Sequence, residues 1–342
     1  MGMNALYFNK HGGPERLKFG ELPIPDVKEG HCLVRVDACA LNRLDLWVLR
    51  GWPNLKLNFP HVGGSDIAGT VVSGNTKWIE GEKVVVDPGI NLKQDRFTER
   101  GDDSLSPNYR IIGEHIPGGL AEYVSVPIEN LRKAPSGFTT EESAAPLLVG
   151  LTAYRMLVHR ANLQKNERIL IIGSGGGVNS MAIQLAKYLG GIVHVVCGGV
   201  KKSKKAMKLG ARYTVDYLSE PEWDKHLKIQ NEGEGYDVII DNVGAKTWAQ
   251  SLKLASQGGR IVTVGNTTGP IAETDIRYIF VKQLSILGST MGSHDDFDKV
   301  LELLNKKAIR PIIDSTISLS EGKTAYERMK SGKHFGKIVV KP

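Results

Sequence analysis

The stretch from 168 to 199 constrains the chain most. Residues 169–172 are an unbroken apolar run, Ile-Leu-Ile-Ile, as a parallel strand buried on both faces requires. Four glycines follow within five positions: Gly173, Gly175, Gly176 and Gly177. Val178, Met181, Ile183, Leu185, Ala186 and Leu189 then recur at helical spacing, and 192–196 is a second apolar run. Strand, glycine turn, helix, strand is a βαβ unit. A turn without side chains lets a pyrophosphate approach the backbone and sit on the N-terminus of the next helix, where free N–H groups and the helix dipole point at it. The flanking strand and helix are the context that confirms such a string. The string departs from G-x-G-x-x-G: Val178 stands at the third glycine's place, and Asn179 where a further glycine is common.

Alternation continues downstream. Strands are expected at 213–216, 237–241, 260–265 and 284–288, with helices at 245–255 and 295–306. Such alternation means a doubly wound parallel sheet. Upstream, 33–40 alternates apolar and polar residues as a half-buried strand does, and 66–73 and 83–87 are further strands. Residues 88–119 form a long, weakly periodic connection, and loops of that length are usually functional. Thr139 or Thr140 followed by Glu141 and Glu142 caps a helix running toward Arg160. The last forty residues close the chain, with a strand at 338–340.

With 342 residues, one large or two ordinary domains are expected. No apolar run approaches the roughly 20 residues of a membrane span, and the N-terminus has no signal-like pattern, so a cytoplasmic protein without membrane partners is expected. Cys32, Cys39 and Cys197 lack C-x-x-C spacing and read as buried hydrophobes. Net charge is +7, and Lys201, Lys202, Lys204, Lys205 and Lys208 cluster after the second strand of the βαβ unit. No aromatics interleave them, so nucleic-acid binding is not expected.

Three stretches together resemble the medium-chain dehydrogenase/reductase family: 64–72 (Gly-Ser-Asp-Ile-Ala-Gly-Thr-Val-Val), 118–124 (Gly-Gly-Leu-Ala-Glu-Tyr-Val), and the βαβ unit with Leu209-Gly210-Ala211 after it. The similarity covers nearly the whole chain. It implies an α/β protein: a GroES-like irregular β-domain at 1–135, completed by about 305–342, and a Rossmann dinucleotide-binding domain at 136–304. Residues 87–90, 107–109 and 113–115 look like the zinc-containing alcohol dehydrogenases; 40–45 (Ala-Leu-Asn-Arg-Leu-Asp) looks like the zinc-free quinone oxidoreductases.

By that resemblance the three catalytic zinc ligands would stand at Asn42, Ser65 and Ala145, none of which binds zinc; Asp66 alone is a donor. Cys39 falls too early, and the loop residues His61 and His115 read as hydrogen-bonded rather than ligating. The four structural-zinc thiolates would fall at Leu92, Asp95, Thr98 and Ser106. No metal is expected. An NAD-preferring site carries an acid at the end of the second strand; here it ends Cys197-Gly198-Gly199. With Lys202 and Tyr217 matching residues that hold a 2′-phosphate in zinc-free relatives, NADPH is expected in preference to NADH. The resemblance also assigns cofactor contacts to Thr152, Gly175, Gly176, Gly177, Val178, Gly199, Asn242, Val243, Gly265, Asn266, Gly288 and Ser289, and has Lys337 reach the pyrophosphate.

The implied chemistry is hydride transfer from NADPH to a conjugated carbonyl, a quinone or enone, whose conjugation spreads the developing charge without a Lewis acid. Asn42, Ser65 and Asp66 are the candidate polar groups, Trp47 walls the pocket, and Asp45 supports the site or is structural. The alternatives are an alcohol dehydrogenase or aldehyde reductase with another proton donor, and a non-catalytic NADPH-binding protein. The small-molecule substrate would be met by a homodimer or homotetramer, with the apolar strand at 284–288 continuing the sheet across a two-fold axis.

Overall fold

The computed structural model describes residues 2–73 and 77–342. They form two compact units: the chain up to Leu151 with Gly292–Pro342, and Thr152–Met291.

The second unit carries six parallel strands. Their spatial order is Tyr213–Asp216, Ile192–Cys197, Arg168–Ile172, Tyr236–Asp241, Ala255–Thr263 and Ser285–Gly288. Counted along the chain this is 3-2-1-4-5-6, the Rossmann order. It reverses between Arg168–Ile172 and Tyr236–Asp241, and ligands collect at the carboxyl ends of strands beside such a reversal. Leu170, Ile172, Val196, Ile239 and Ile261 are buried in its core, as the apolar runs require.

The first unit is built on a seven-stranded sheet. Six strands follow in the order Leu131–Lys133, Lys83–Val86, Asp66–Ser73, His31–Ala40, Lys337–Lys341 and Ile313–Ser318, while Tyr123–Pro127 also pairs with His31–Ala40. A smaller sheet orders Lys18–Pro23, Gly2–Phe8 and His61–Val62. The register of the larger sheet positions the site. Ala40 lies opposite both Asp66 and Val339, and Leu41 N–H donates to Ile338 O at 2.9 Å. The ends of three strands distant in sequence therefore meet beside residue 42.

Local differences from the sequence expectations have local causes. The helix expected to run unbroken toward Arg160 is capped by Thr139, whose hydroxyl accepts from Glu142 N–H. It stops at Ala144, resumes at Leu147–Tyr154 beyond Pro146, and ends in a π-helical turn, Arg155–Arg160; proline has no N–H to continue the ladder. The first segment packs on the strands of the first unit, so that unit extends to Leu151 rather than ending near 135. The helix expected from 245 starts at Trp248, because the preceding residues wrap the buried Asp241 carboxylate. It accepts from the N–H of Val243 and Gly244 and the hydroxyls of Thr247 and Ser251.

The connection 88–119 holds one small antiparallel pair, Gly89–Asn91 with Tyr109–Ile111. Its tip is closed by Asp95. That carboxylate accepts from Phe97 N–H (2.8 Å), Thr98 N–H (3.3 Å) and Ser106 Oγ (2.6 Å), and Thr98 Oγ1 accepts from Asp95 N–H. Three of the four expected thiolate positions thus form one hydrogen-bonded group; Leu92 is exposed. Among the described residues, no helix is long and apolar enough to cross a membrane.

Candidate functional site

In the first unit, Asn42, Asp66 and Lys337 are brought together, all buried. Asn42 Nδ2 donates to Asp66 Oδ2 at 3.0 Å. Lys337 Nζ donates to the same oxygen at 2.7 Å and to Asn42 Oδ1. Asp66 Oδ1 accepts from Leu148 N–H at 2.8 Å. Burial pushes the Asp66 carboxyl up, and the Lys337 ammonium opposes that. Lys337 therefore departs from the expected reach toward a pyrophosphate: its ammonium is spent on a carboxylate that would otherwise be buried uncompensated.

Asp45 lies just beneath. Its oxygens accept from Asn42 N–H (2.7 Å) and Gly64 N–H (2.8 Å), and burial holds its carboxyl up at about 6. It fixes the backbone on either side of the group. Ser65 is fully buried and its hydroxyl has no hydrogen-bond partner among the described residues. Trp47 is half-buried on the short helix Arg43–Arg50. Arg43, which the sequence motifs do not single out, is also half-buried; desolvation lowers its pKa, so an anion beside it would be favoured. Its neighbour Asn42 is the available signal in the sequence.

The fit to a metal can be judged from the donors. Zinc takes thiolate, imidazole or carboxylate ligands, three of them in catalytic sites. The expected places hold a carboxamide, a hydroxyl and the buried methyl of Ala145, and the nearby Asp66 carboxylate already carries an ammonium. Among the described residues, no group of three or more His, Cys, Asp or Glu is arranged to hold a metal ion. This donor set does not fit catalytic zinc.

In the second unit, the glycine turn leads into the helix Gly177–Tyr188. A Cβ on Gly176 would meet open space, so a ligand can approach the backbone there. The N–H groups of Gly177, Val178 and Asn179 begin the helix and face outward by helix geometry. Asn179 has a structural task. Its Nδ2 donates to Ile172 O (2.9 Å) and Gly173 O (2.8 Å), and its Oδ1 accepts from Asn242 Nδ2 (2.9 Å). Asn242 Oδ1 accepts in turn from Val264 N–H at 2.9 Å. The turn, the end of the fourth strand and the segment before Gly265 are thereby tied together. Asn242, Val243, Gly265 and Asn266 do lie along this edge. Gly288 is exposed and its carbonyl accepts from Arg160. The buried Ser289 hydroxyl has no hydrogen-bond partner among the described residues. Thr152 is buried at the start of this unit.

At the second strand's end, Tyr217 is half-exposed with its hydroxyl against Gly198, and Lys202 is half-buried in the first turn of Val200–Leu209. The structure adds an acid that the strand itself lacks: Asp216 lies opposite Cys197. Its Oδ1 is engaged by Gly199 N–H (2.7 Å) and Leu218 N–H (3.0 Å). Gly199, at φ +96°, permits that turn.

A βαβ phosphate cradle in a 3-2-1-4-5-6 sheet, joined in one chain to a unit with a buried polar group at the meeting of three strands, defines a nicotinamide-dependent oxidoreductase. The family models agree. Residues 28–136 match the alcohol dehydrogenase GroES-like domain and residues 177–306 the zinc-binding dehydrogenase model. The chain is 32% identical to an NAD-dependent alcohol dehydrogenase of Sulfolobus acidocaldarius, over 99% of both chains. It is 30% identical to an acryloyl-coenzyme A reductase of Sulfurisphaera tokodaii, covering 96% of this chain and 98% of that one. A crystal structure of an NAD-dependent alcohol dehydrogenase superposes with a TM-score of 0.95 at 34% identity, over 99% of this chain and 100% of that one. The chain belongs to the medium-chain dehydrogenase/reductase family.

Proposed function

We propose that the chain is a zinc-independent, NADPH-dependent reductase of conjugated acceptors: quinones, enones and, by likeness to the acryloyl-coenzyme A reductase, enoyl thioesters. The observation that carries this reading is the Lys337–Asp66–Asn42 group, whose donors suit an ammonium and not zinc. With its pyrophosphate held at the glycine turn, the cofactor would supply the hydride from its nicotinamide. The chain's residues orient cofactor and acceptor and stabilise developing charge. Asn42 and the unpartnered Ser65 hydroxyl are the groups for the acceptor, and Arg43 adds positive potential beside them. Buried cysteines that form no disulfide among the described residues suit a cytoplasmic setting.

Purified protein should oxidise NADPH with quinones, enones or a crotonyl thioester faster than with simple aldehydes. One tightly bound zinc per chain by elemental analysis, or a preference for alcohols, would move the assignment to alcohol dehydrogenase. That second reading is favoured by the 32% identical relative.

The preference for NADPH is supported by Lys202, Tyr217 and the engagement of Asp216 with backbone. Lys202→Ala should weaken NADPH binding about tenfold, the worth of one charge-assisted contact, and leave NADH unchanged. Equal affinity of the wild type for both cofactors in a fluorescence titration would refute it.

The assembly we propose is a dimer joined along Ser285–Gly288, the edge strand of the six-stranded sheet. Ile286 is 38% exposed there and Phe280 65% exposed on the adjoining helix Ile276–Lys282; an apolar sheet edge invites pairing. Ile286→Lys with Phe280→Glu should sediment as a monomer, and an unchanged oligomer would place the interface elsewhere.

A further inference from the structure

We propose that Asn179 is a positioning residue that couples the two halves of the dinucleotide site, holding the nicotinamide half in register with the pyrophosphate turn through Asn242; this rests on the nicotinamide-dependent reading above. In a sheet of this order the glycine turn takes the pyrophosphate and the end of Ile192–Cys197 takes the adenosine ribose. The nicotinamide riboside then falls on the other side of the reversal, over the ends of Tyr236–Asp241 and Ala255–Thr263. Holding the two halves at one spacing requires a connection across that reversal.

The connection is a relay of two side-chain amides whose direction is fixed at both ends. Asn179 is buried in the first turn of the helix Gly177–Tyr188. Its amide faces two carbonyls, Ile172 O at 2.9 Å and Gly173 O at 2.8 Å. Carbonyls only accept, so the end that meets them is Nδ2. Asn179 Oδ1 is thereby turned toward Asn242 and is met by its Nδ2 at 2.9 Å. Asn242 Oδ1 in turn meets Val264 N–H, which can only donate, at 2.9 Å. Flipping either amide alone would set acceptor against acceptor on one side and donor against donor on the other.

Beyond Asn242 the bonds spread into the segment that follows Ala255–Thr263. Thr267 Oγ1 donates to Asn242 O at 3.1 Å. Thr268 N–H and Oγ1 both donate to Val243 O at 2.8 Å. Residues 264–268 are thus folded onto 242–243, and Asn242 onto Asn179. Asn242 is half-buried. Its Nδ2 carries two N–H bonds, and among the described residues Asn179 is the one acceptor it meets. The second N–H is left for an acceptor oxygen of the riboside, with its direction set by the relay. A glycine at 179 would leave that amide held by Val264 alone.

Titration with two ligands separates this role from one of merely shaping the turn. NADPH spans both halves of the site, whereas 2′,5′-ADP carries the adenosine half alone. Asn179→Gly, which supplies the residue common at that place, should weaken NADPH about tenfold, the worth of one buried hydrogen bond, and leave 2′,5′-ADP unchanged. The fluorescence anisotropy of bound NADPH, which reports its dihydronicotinamide, should fall. Asn242→Ala leaves both Asn179 bonds to the turn in place. It should show the same split, and it decides the matter if Asn179→Gly does not fold. The double variant should bind NADPH no more weakly than either single one, as members of one relay do. Equal losses for the two ligands, no loss for NADPH, or additive losses in the double variant would overturn the proposal. A wild type that binds neither ligand nor NADH would sink the dinucleotide reading itself. One that takes NADH in place of NADPH overturns the cofactor preference alone, and the same comparison with NADH and 5′-AMP then decides.

Discussion

Lys337→Met should destabilise the first unit by about 3–5 kcal/mol, the usual cost of stranding one partner of a buried ion pair. The Asp66 carboxylate would keep one hydrogen bond from Asn42 and one from Leu148 N–H but lose the Lys337 ammonium. Its pKa, already raised by burial, would rise further. A carboxyl whose folded pKa lies above its unfolded value favours the fold most where it is protonated, and that contribution is lost as pH rises through the folded pKa. The deficit of Lys337→Met should therefore shrink on acidification. Lys337→Met combined with Asp66→Asn should regain most of the loss, since the carboxamide can still accept from Leu148 N–H. Urea melts of both variants across pH check this. A single variant as stable as the wild type, or a deficit independent of pH, would show that the ion pair is not what holds these three strand ends together.

Gly113→Ala should be at least as damaging, costing roughly 4 kcal/mol or preventing folding. Gly113 has φ +82°, and an added Cβ would sit 2.6–2.8 Å from the backbone C, O and N of Gly64, itself at φ +92°. Backbone cannot step aside as a flexible side chain can, and Gly118 presses on the same Gly64 oxygen. Gly30 is the control. It has φ +73° but nothing within 4 Å of an added Cβ, so Gly30→Ala should cost only about 1–2 kcal/mol, the left-handed penalty alone. Equal melting shifts for the two would contradict a steric clamp at Gly64.

The parallel sheet can be read from the sequence because each strand is a run of apolar residues and the glycine turn marks where the first one ends. Strand order and register there are then governed by handedness and by connection length. Lys337 shows what such patterns do not carry. Its role depends on partners 271 and 295 residues away, brought together by strand pairings that local periodicity does not specify. Lys-Ile-Val-Val reads as a strand whichever group its lysine meets. Asn179 is visible in the sequence only as a missing glycine. Its three hydrogen bonds, one of them to Asn242, belong to the folded turn. Asp216 is invisible to a search for an acid on the second strand, because the pairing of the third strand delivers it from further down the chain.

The tip closed by Asp95 has a consequence for the conditions in which the protein can work. A closure made of thiolates around a metal depends on the redox poise and on metal supply. One made of hydrogen bonds to a single carboxylate depends on neither, and oxidants that attack exposed sulfur find none at this tip. Its weakness is acid. The hydrogen bonds from Ser106, Phe97 and Thr98 hold the Asp95 carboxyl below its ordinary value. Its contribution is thus complete above the unfolded pKa and disappears as pH falls through the folded one. The closure of this tip therefore depends on the protonation state of one carboxylate.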